Sequence, residues 1–452
     1  MAIHRSFLSA LSAVAVLLAA LGSHKDHQVS AWGNTGHSLT GRLAMQLLSE
    51  TTKAQLKQLL PNVDGDISLV SSWADKVKRL PRYSHTGPLH YSDAHDDPPY
   101  ACSYIFKRDC PDGNCVIAGI RNFTSILQEH RKNLLEKNPD AFHTLTDDEV
   151  RDDDMASSKT ESEYADVGNP ESTDASAFPI TQDLHPNPAY LRHQVQKRDL
   201  RLFSDLYHSI GIRSSMGDGF ASSVASVRNR RRNRRRNRRN RNPGGSLPQK
   251  PSPPPPGPPA GFVYTPQEAI KFLVHLVQDV HQPLHVSGRE KGGNGADALF
   301  DGEHVNLHVV WDSKLLEKAL NEDYGGNMMY LADVLLNKMR VEWEPEVETW
   351  MTCPAPERPG SPTANYVSAI SSDASTTPPG FLTPLDMIMC PEHWARGVDQ
   401  LNCNNVWLKY SPDKDLSKEY YKENIATVLK SVAMAGVRLA ALLEAIFNPD
   451  RI

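Results

Sequence analysis

The feature that most constrains the fold is an interruption. Two stretches with helical periodicity are separated by residues 138–260, whose composition cannot build a core. TDDEVRDDDMASSKTESEYADVGNPESTDAS is acidic and poor in large apolar side chains, RNRRRNRRRNRRNRNPGG is strongly cationic, and PQKPSPPPPGPPAG is proline-rich. Such segments bury too little apolar surface to offset the entropy of ordering, so most of this stretch is expected to be a disordered insertion. Lengthening a surface loop from roughly 12 to roughly 120 residues adds only about 2 kcal/mol of closure cost. The blocks 32–137 and 261–452 can therefore be halves of one domain.

Both blocks read as helical. HSLTGRLAMQLLSETTKAQLKQLL, GIRNFTSILQEHRKNLL and the closing YYKENIATVLKSVAMAGVRLAALLEAIF carry the 3.6-residue apolar period, and no convincing alternating strands link them. The expected class is all-α, with a smaller insertion at about 353–390. Lys430, Arg438 and Glu444 in the last helix argue against a membrane anchor. Residues 1–31 read as a signal peptide: a basic start, an apolar run from Phe7 to Gly22, and small residues Val29 and Ala31 before the cut. Cleavage there leaves Trp32 with a free amine. Six cysteines behind such a leader favour disulfides over a cysteine metal site. Cys110 and Cys115 are close enough for a small loop, and Cys353 and Cys390 bracket a Pro/Ser-rich stretch. Asn122-Phe123-Thr124 is an acceptor for N-glycosylation, in keeping with a secretory route to the exterior or to a secretory or endolysosomal lumen. The net charge of −5 conceals the segregation of charge and says little about partners.

The chemistry is concentrated in TPQEAIKFLVHLVQDVHQPLH, residues 265–285. Thr265 and Glu268 make a capping box, and Pro266 suits the first helical position. His275 and Asp279 stand at i and i+4, on one face. Pro283 ends the helix and carries His285 onto a connection. His308 and Asp312 repeat the same spacing in NLHVVWDSKLLEKAL. Imidazole and carboxylate are suitable zinc ligands, and i, i+4 pairs let two side chains share an ion. One such pair is more often a surface ion pair; two pairs on apolar helices, with His285 and an upstream Trp-x-x-x-x-His, make a constellation.

The ordered blocks WGNTGH, SSWADKVK, PLHYSDAHDDPPYACSYIFKRDCPDGNC, IRNFTSIL, KFLVHLVQDVHQPLH, KGGNGADALFDGEHVNLHVVWD and HWARGVDQLNC complete the pattern. The chain resembles the secreted zinc-dependent single-strand-specific nucleases and 3′-nucleotidases, a family related to zinc phospholipase C. The resemblance covers both helical blocks and omits the long insertion. It implies three zinc ions: one on Asp75, His90, His275 and Asp279, a second on His285, His308 and Asp312, and a third on the amine and carbonyl of Trp32 with His37 and a shared Asp279. It thereby gives the signal peptide a chemical consequence, because its removal creates a ligand. It also implies the pairings Cys102–Cys403 and Cys110–Cys115, leaving Cys353 for Cys390.

The implied reaction is hydrolysis of phosphodiesters in single-stranded DNA and RNA to 5′-phosphorylated products, together with 3′-nucleotidase activity, by a monomer without a stable protein partner. Zinc lowers the pKa of water from about 15.7 towards about 7 and so supplies a nucleophile at neutral pH. Asp75 would orient it, and Lys78, where the family commonly carries Arg, would stabilise charge on the phosphate; a surface lysine is the alternative. Tyr91 lies where the family stacks a nucleobase, with packing as the alternative. Asn294 and Asp301 match pocket positions and are equally suited to turns. His281, His85, His95 and His304 are read as ordinary hydrogen-bonding histidines. Two rival readings remain. A phospholipase C would use a similar site, but the related lipases have a longer Trp-to-His spacing and a final glutamate ligand. A non-enzymatic polyanion binder would explain the arginine tract, itself readable as a substrate tether, a processing site or a tolerated insertion, but not the ordered ligand positions.

Overall fold

The structure is a computed structural model describing residues 32–137, 257–354 and 383–451. The leader, the acidic and arginine-rich stretch and most of the smaller insertion lie outside the described residues. The first block supplies helices α1 (Gly33–Leu47), α2 (Glu50–Leu59), α3 (Trp73–Val77) and α4 (Val116–Lys137). The second supplies α5 (Pro266–Asp279), α6 (Leu315–Glu322), α7 (Met328–Val341), α8 (Glu344–Met351), α9 (Pro391–Leu401) and α10 (Glu419–Phe447). Short 3₁₀ turns fill several connections, among them Ser84–His90 and Pro283–Val286.

The fold is mostly helical, as the periodicity predicts. It also contains one two-stranded hairpin, β1 (Asp297–Phe300) with β2 (Glu303–Asn306), which the sequence reading missed. Four residues per strand give too few alternations for a period of two to register. The turn between them, Asp301-Gly302, has both φ angles positive, at 49° and 78°, the arrangement Asp-Gly favours in tight hairpins.

The two blocks share one core. α4 packs extensively against α5, where Phe123 and Phe272 stack with ring centroids 4.8 Å apart, and α1 packs against α10. α5 starts where its sequence says it should: Thr265 Oγ1 accepts from the Glu268 N–H, and the Glu268 carboxylate accepts from the Thr265 N–H at 2.8 Å. α10 is long and apolar enough to cross a membrane by composition, but 72% of its most apolar window is buried, which makes it the central core helix. Three disulfides, Cys102–Cys403, Cys110–Cys115 and Cys353–Cys390, tie the connections to this core.

A buried carboxylate fixes how α10 meets α2. Glu444 is fully buried and accepts from the Ser49 N–H at 2.5 Å, from Ser49 Oγ at 2.9 Å and from Thr52 Oγ1 at 2.9 Å. Those donors belong to the N-terminus of α2, where a negative charge also meets the positive end of the helix dipole. Glu444→Ala strands them, and a loss of about 3 kcal/mol is expected in urea unfolding with an unchanged denaturant slope. A loss below about 0.5 kcal/mol, the range of ordinary surface substitutions, contradicts this role.

Candidate metal centre

α5 and the turn after it organise the centre. His275 and Asp279 project together from α5, with His275 Nε2 3.2 Å from Asp279 Oδ2. Asp75 comes from α3, with Oδ1 3.5 Å from both His275 Nε2 and His90 Nδ1. His90 ends the 3₁₀ turn before Tyr91, and its Nδ1 lies 2.9 Å from Asp279 Oδ2. His37 enters from α1; its Nε2 is 3.6 Å from Asp279 Oδ1 and 3.9 Å from Asp75 Oδ2. Its ring stacks on His275 with centroids 4.1 Å apart. Asp279 thus faces His90 and His275 with one oxygen and His37 with the other.

A second group forms beside it. His308 Nε2 is 3.0 Å from Asp312 Oδ2, and His285 Nε2 is 3.9 Å from Asp312 Oδ1. Asn306 caps the helical turn Leu307–Val309 that carries His308, and Asp312 sits on the π turn Val310–Lys314 that follows. Such π turns are frequent at functional sites because they displace one side chain from regular helical phase. A further acidic group, Asp96 with Asp399 beside Cys102, offers no thiolate, since that sulfur is committed to a disulfide.

Trp32 sits beside α5, the helix that carries His275 and Asp279. It is completely buried and left-handed, with φ 46°, and its indole N–H donates to the Gln278 carbonyl at 3.0 Å. The glycines of WGNTGH are explained by this crowding. Gly33 has φ +50°, and a Cβ there would meet the Ser313 hydroxyl and lie 3.3 Å from the Asp312 carbonyl oxygen. A Cβ on Gly36 would lie 2.7 Å from the Trp32 Cβ.

The lone pairs of the site are directed by the atoms behind them. His275, His285 and His308 give their Nδ1 protons to the carbonyls of Ser71, His90 and Gly292 at 2.7, 2.6 and 2.6 Å. Carbonyls only accept, so in the neutral imidazole each Nε2 presents its lone pair towards the cluster. Gln282 orients the other partner: its amide N–H donates to Asp312 Oδ1 while its oxygen accepts from the Leu284 N–H at 2.5 Å. Sequence reasoning missed these supports; Gln282, a polar residue directly before Pro283, was the available signal.

Whether a cation fits is answered by unsatisfied atoms. His37 Nε2, His90 Nε2, His285 Nε2, His308 Nε2, Asp279 Oδ1 and Asp312 Oδ2 are buried without a hydrogen-bond partner. All six belong to residues of the two groups. Buried polar atoms rarely stay unpaired, and divalent cations bind just this donor chemistry, imidazole nitrogen with carboxylate oxygen.

Electrostatics point the same way. Burial, with the neighbouring His275 charge, holds His37 down at about 4, and burial with the Lys78 charge adding to it holds His90 down at about 4. Both imidazoles are neutral at physiological pH. Burial also works against a charge on His275, but Asp279 and Asp75 overcome it and raise that imidazole to about 10. Burial would raise Asp75, yet His275, His90 and Lys78 hold it well below the usual carboxylate range. Lys78 Nζ is 2.6 Å from Asp75 Oδ1, so this ammonium stands at the edge of the cluster.

The remaining sequence candidates are spread around it. Tyr91 follows His90 and is 43% exposed. Asn294 is exposed and its amide donates to the Lys291 carbonyl at 2.9 Å. Asp301 occupies the hairpin turn and pairs with Lys318 at 3.2 Å. His281 lies outside the ligand groups, giving its Nδ1 proton to the Val277 carbonyl and accepting from Arg438 at 2.8 Å. His85 contacts the Tyr264 hydroxyl, and His95 contacts Asp109. Asn122 is exposed on α4 while Thr124 is buried.

The family model described as S1/P1 nuclease matches residues 32–147 and 260–448. Endonuclease 2 of Arabidopsis thaliana is 24% identical over 93% of this chain and 92% of its own length. Nuclease S1 of Aspergillus oryzae is 22% identical over 92% of this chain and 91% of its own. Nuclease P1 of Penicillium citrinum is 20% identical over 93% and 99%.

The protonation of His275 makes cation binding measurable. Its native pKa lies above the ordinary value of 6.5, so up to about pH 10 the metal-free fold holds a proton that a bound cation must displace. Calorimetric titration of the metal-free protein with zinc at pH 8, in two buffers of different ionisation enthalpy, should show release of about one proton. No net release contradicts His275 as a ligand.

Proposed function

The chain belongs to the S1/P1 nuclease family and is a nuclease acting on nucleic acid, and we propose that it is a secreted, zinc-dependent endonuclease of single-stranded DNA and RNA that leaves 5′-phosphates and also removes 3′-phosphates from nucleotides. The observation that carries the metal part of this reading is the set of six buried, unpaired donor atoms on residues of two adjoining groups. Zinc at these groups would supply Lewis-acid activation of water and neutralisation of phosphate charge.

The ligands on this reading are Asp75, His90, His275 and Asp279; His285, His308 and Asp312; and Trp32 with His37 and the shared Asp279. Removal of residues 1–31 frees the Trp32 amine to join the last set. The domain is formed by 32–137 and 261–452, the segments between being insertions. The three disulfides and the sequon at Asn122 suit a secretory route.

The protein's own side chains then divide the work. Asp75, kept ionised by its neighbours, accepts a hydrogen bond from the attacking water and holds it in line with phosphorus. Lys78, whose charge reaches both groups, stabilises negative charge on the phosphate oxygens. It does so as a point charge without the two-pronged fork of arginine. Tyr91 offers an exposed ring to an unpaired base, worth roughly 1–3 kcal/mol of stacking. A base in a duplex is already stacked and paired, which is the physical source of single-strand preference.

The experiment is hydrolysis of single-stranded and duplex substrates by protein beginning at Trp32, before chelation, after chelation and after zinc is restored. Cleavage of single strands to 5′-phosphates, lost with chelator and regained with zinc, is expected. Lys78→Met should lower kcat about 100-fold with KM little changed, since the charge it meets develops in the transition state. Duplex cleaved as fast as single strands, 3′-phosphate products, or full activity in chelator would each contradict the reading.

A further inference from the structure

We infer that Gln278 is a positioning residue for the Trp32–His37 end of the metal centre, setting which nitrogen of His37 is presented to the cation. The inference rests on the zinc reading above. Gln278 lies on α5 between His275 and Asp279 and is fully buried. A long amide placed there carries a desolvation cost, and its side-chain nitrogen is buried without a hydrogen-bond partner, so what the side chain contributes lies on its oxygen. Its side-chain oxygen accepts from His37 Nδ1 at 2.8 Å, and its main-chain carbonyl accepts from the Trp32 indole N–H at 3.0 Å. One residue therefore grips both functional ends of WGNTGH.

His37 differs in this respect from His275, His285 and His308. Their Nδ1 atoms face main-chain carbonyls, which no substitution at those positions removes. The partner of His37 is a side chain. Stacking on His275, with planes 18° apart, already limits how the His37 ring can tilt, so what is left to determine is where its proton resides. With the Gln278 oxygen behind it, Nδ1 keeps the proton, and Nε2 directs a lone pair towards Asp279 Oδ1 and Asp75 Oδ2 at 3.6 and 3.9 Å. Without that oxygen, the favourable tautomer is Nε2–H, which donates to the carboxylates and cannot bind a cation.

The test compares wild type, Gln278→Met and Gln278→Glu, each beginning at Trp32, by chelator competition and zinc counting. Methionine keeps the length and helix preference but has no oxygen acceptor; glutamate keeps the acceptor. Gln278→Met is expected to bind one zinc equivalent about 10- to 100-fold more weakly, the usual effect of losing a partner behind a ligand. The other equivalents should be unaffected, and Gln278→Glu should restore the weakened one. Equal affinities in wild type and Gln278→Met overturn the inference, as does a uniform weakening of every equivalent, which would mark a packing role. Long-range ¹⁵N correlation spectra of the zinc-loaded wild type give an answer even if Gln278→Met does not fold. His37 protonated at Nδ1 is expected, and protonation at Nε2 overturns the inference. A wild-type protein that takes up no zinc at all fails at the earlier step and overturns the zinc reading together with this one.

Discussion

Asp75 and Asp279, buried among His37, His90 and His275, are the constraint on which the rest of the structure depends. Two carboxylates out of water are costly unless positive charge answers them. In the metal-free fold that charge comes from a protonated His275 and from Lys78 at the edge. A divalent cation answers it better, because it also engages the nitrogen and oxygen atoms that otherwise have no partner. The surrounding helices serve as a rigid frame for this exchange. α5 carries two ligands at once, α4 and α10 fix α5 and α1 in place, and carbonyls behind three imidazoles aim their lone pairs inward.

The amino-acid pattern revealed the centre better than it revealed the frame. His275 with Asp279, and His308 with Asp312, were legible because the helical period forces residues four apart onto one face. His285 was legible because Pro283 ends the helix just before it. The glycines of WGNTGH were legible as a motif but not as physics. Their necessity appears only when Ser313, Asp312 and the Trp32 side chain are seen pressing against their α-carbons. Supports that act across long sequence separations, such as Gln282 on Asp312 or Glu444 on Ser49, leave no local signature.

The all-α expectation holds, with one short hairpin added to it. The hairpin 297–306 leaves little trace in the sequence because its strands are only four residues long. Asp301, considered for substrate contact, is held in that turn with its carboxylate against Lys318. The resemblance names ligand positions that the fold brings together in two buried groups. At the pocket rim the residue type decides less, because an exposed Asn or Asp serves a turn and a ligand equally.

The central claim is that the unpaired nitrogens and oxygens of the two buried groups are metal ligands. Anomalous diffraction above and below the zinc absorption edge, from crystals of zinc-loaded protein beginning at Trp32, tests it most directly. The account predicts three zinc peaks: one among Asp75, His90, His275 and Asp279, one among His285, His308 and Asp312, and one against Trp32 and His37. Peaks confined to surface residues, with His37 Nε2, His285 Nε2 and His308 Nε2 contacting only protein or water, would contradict it.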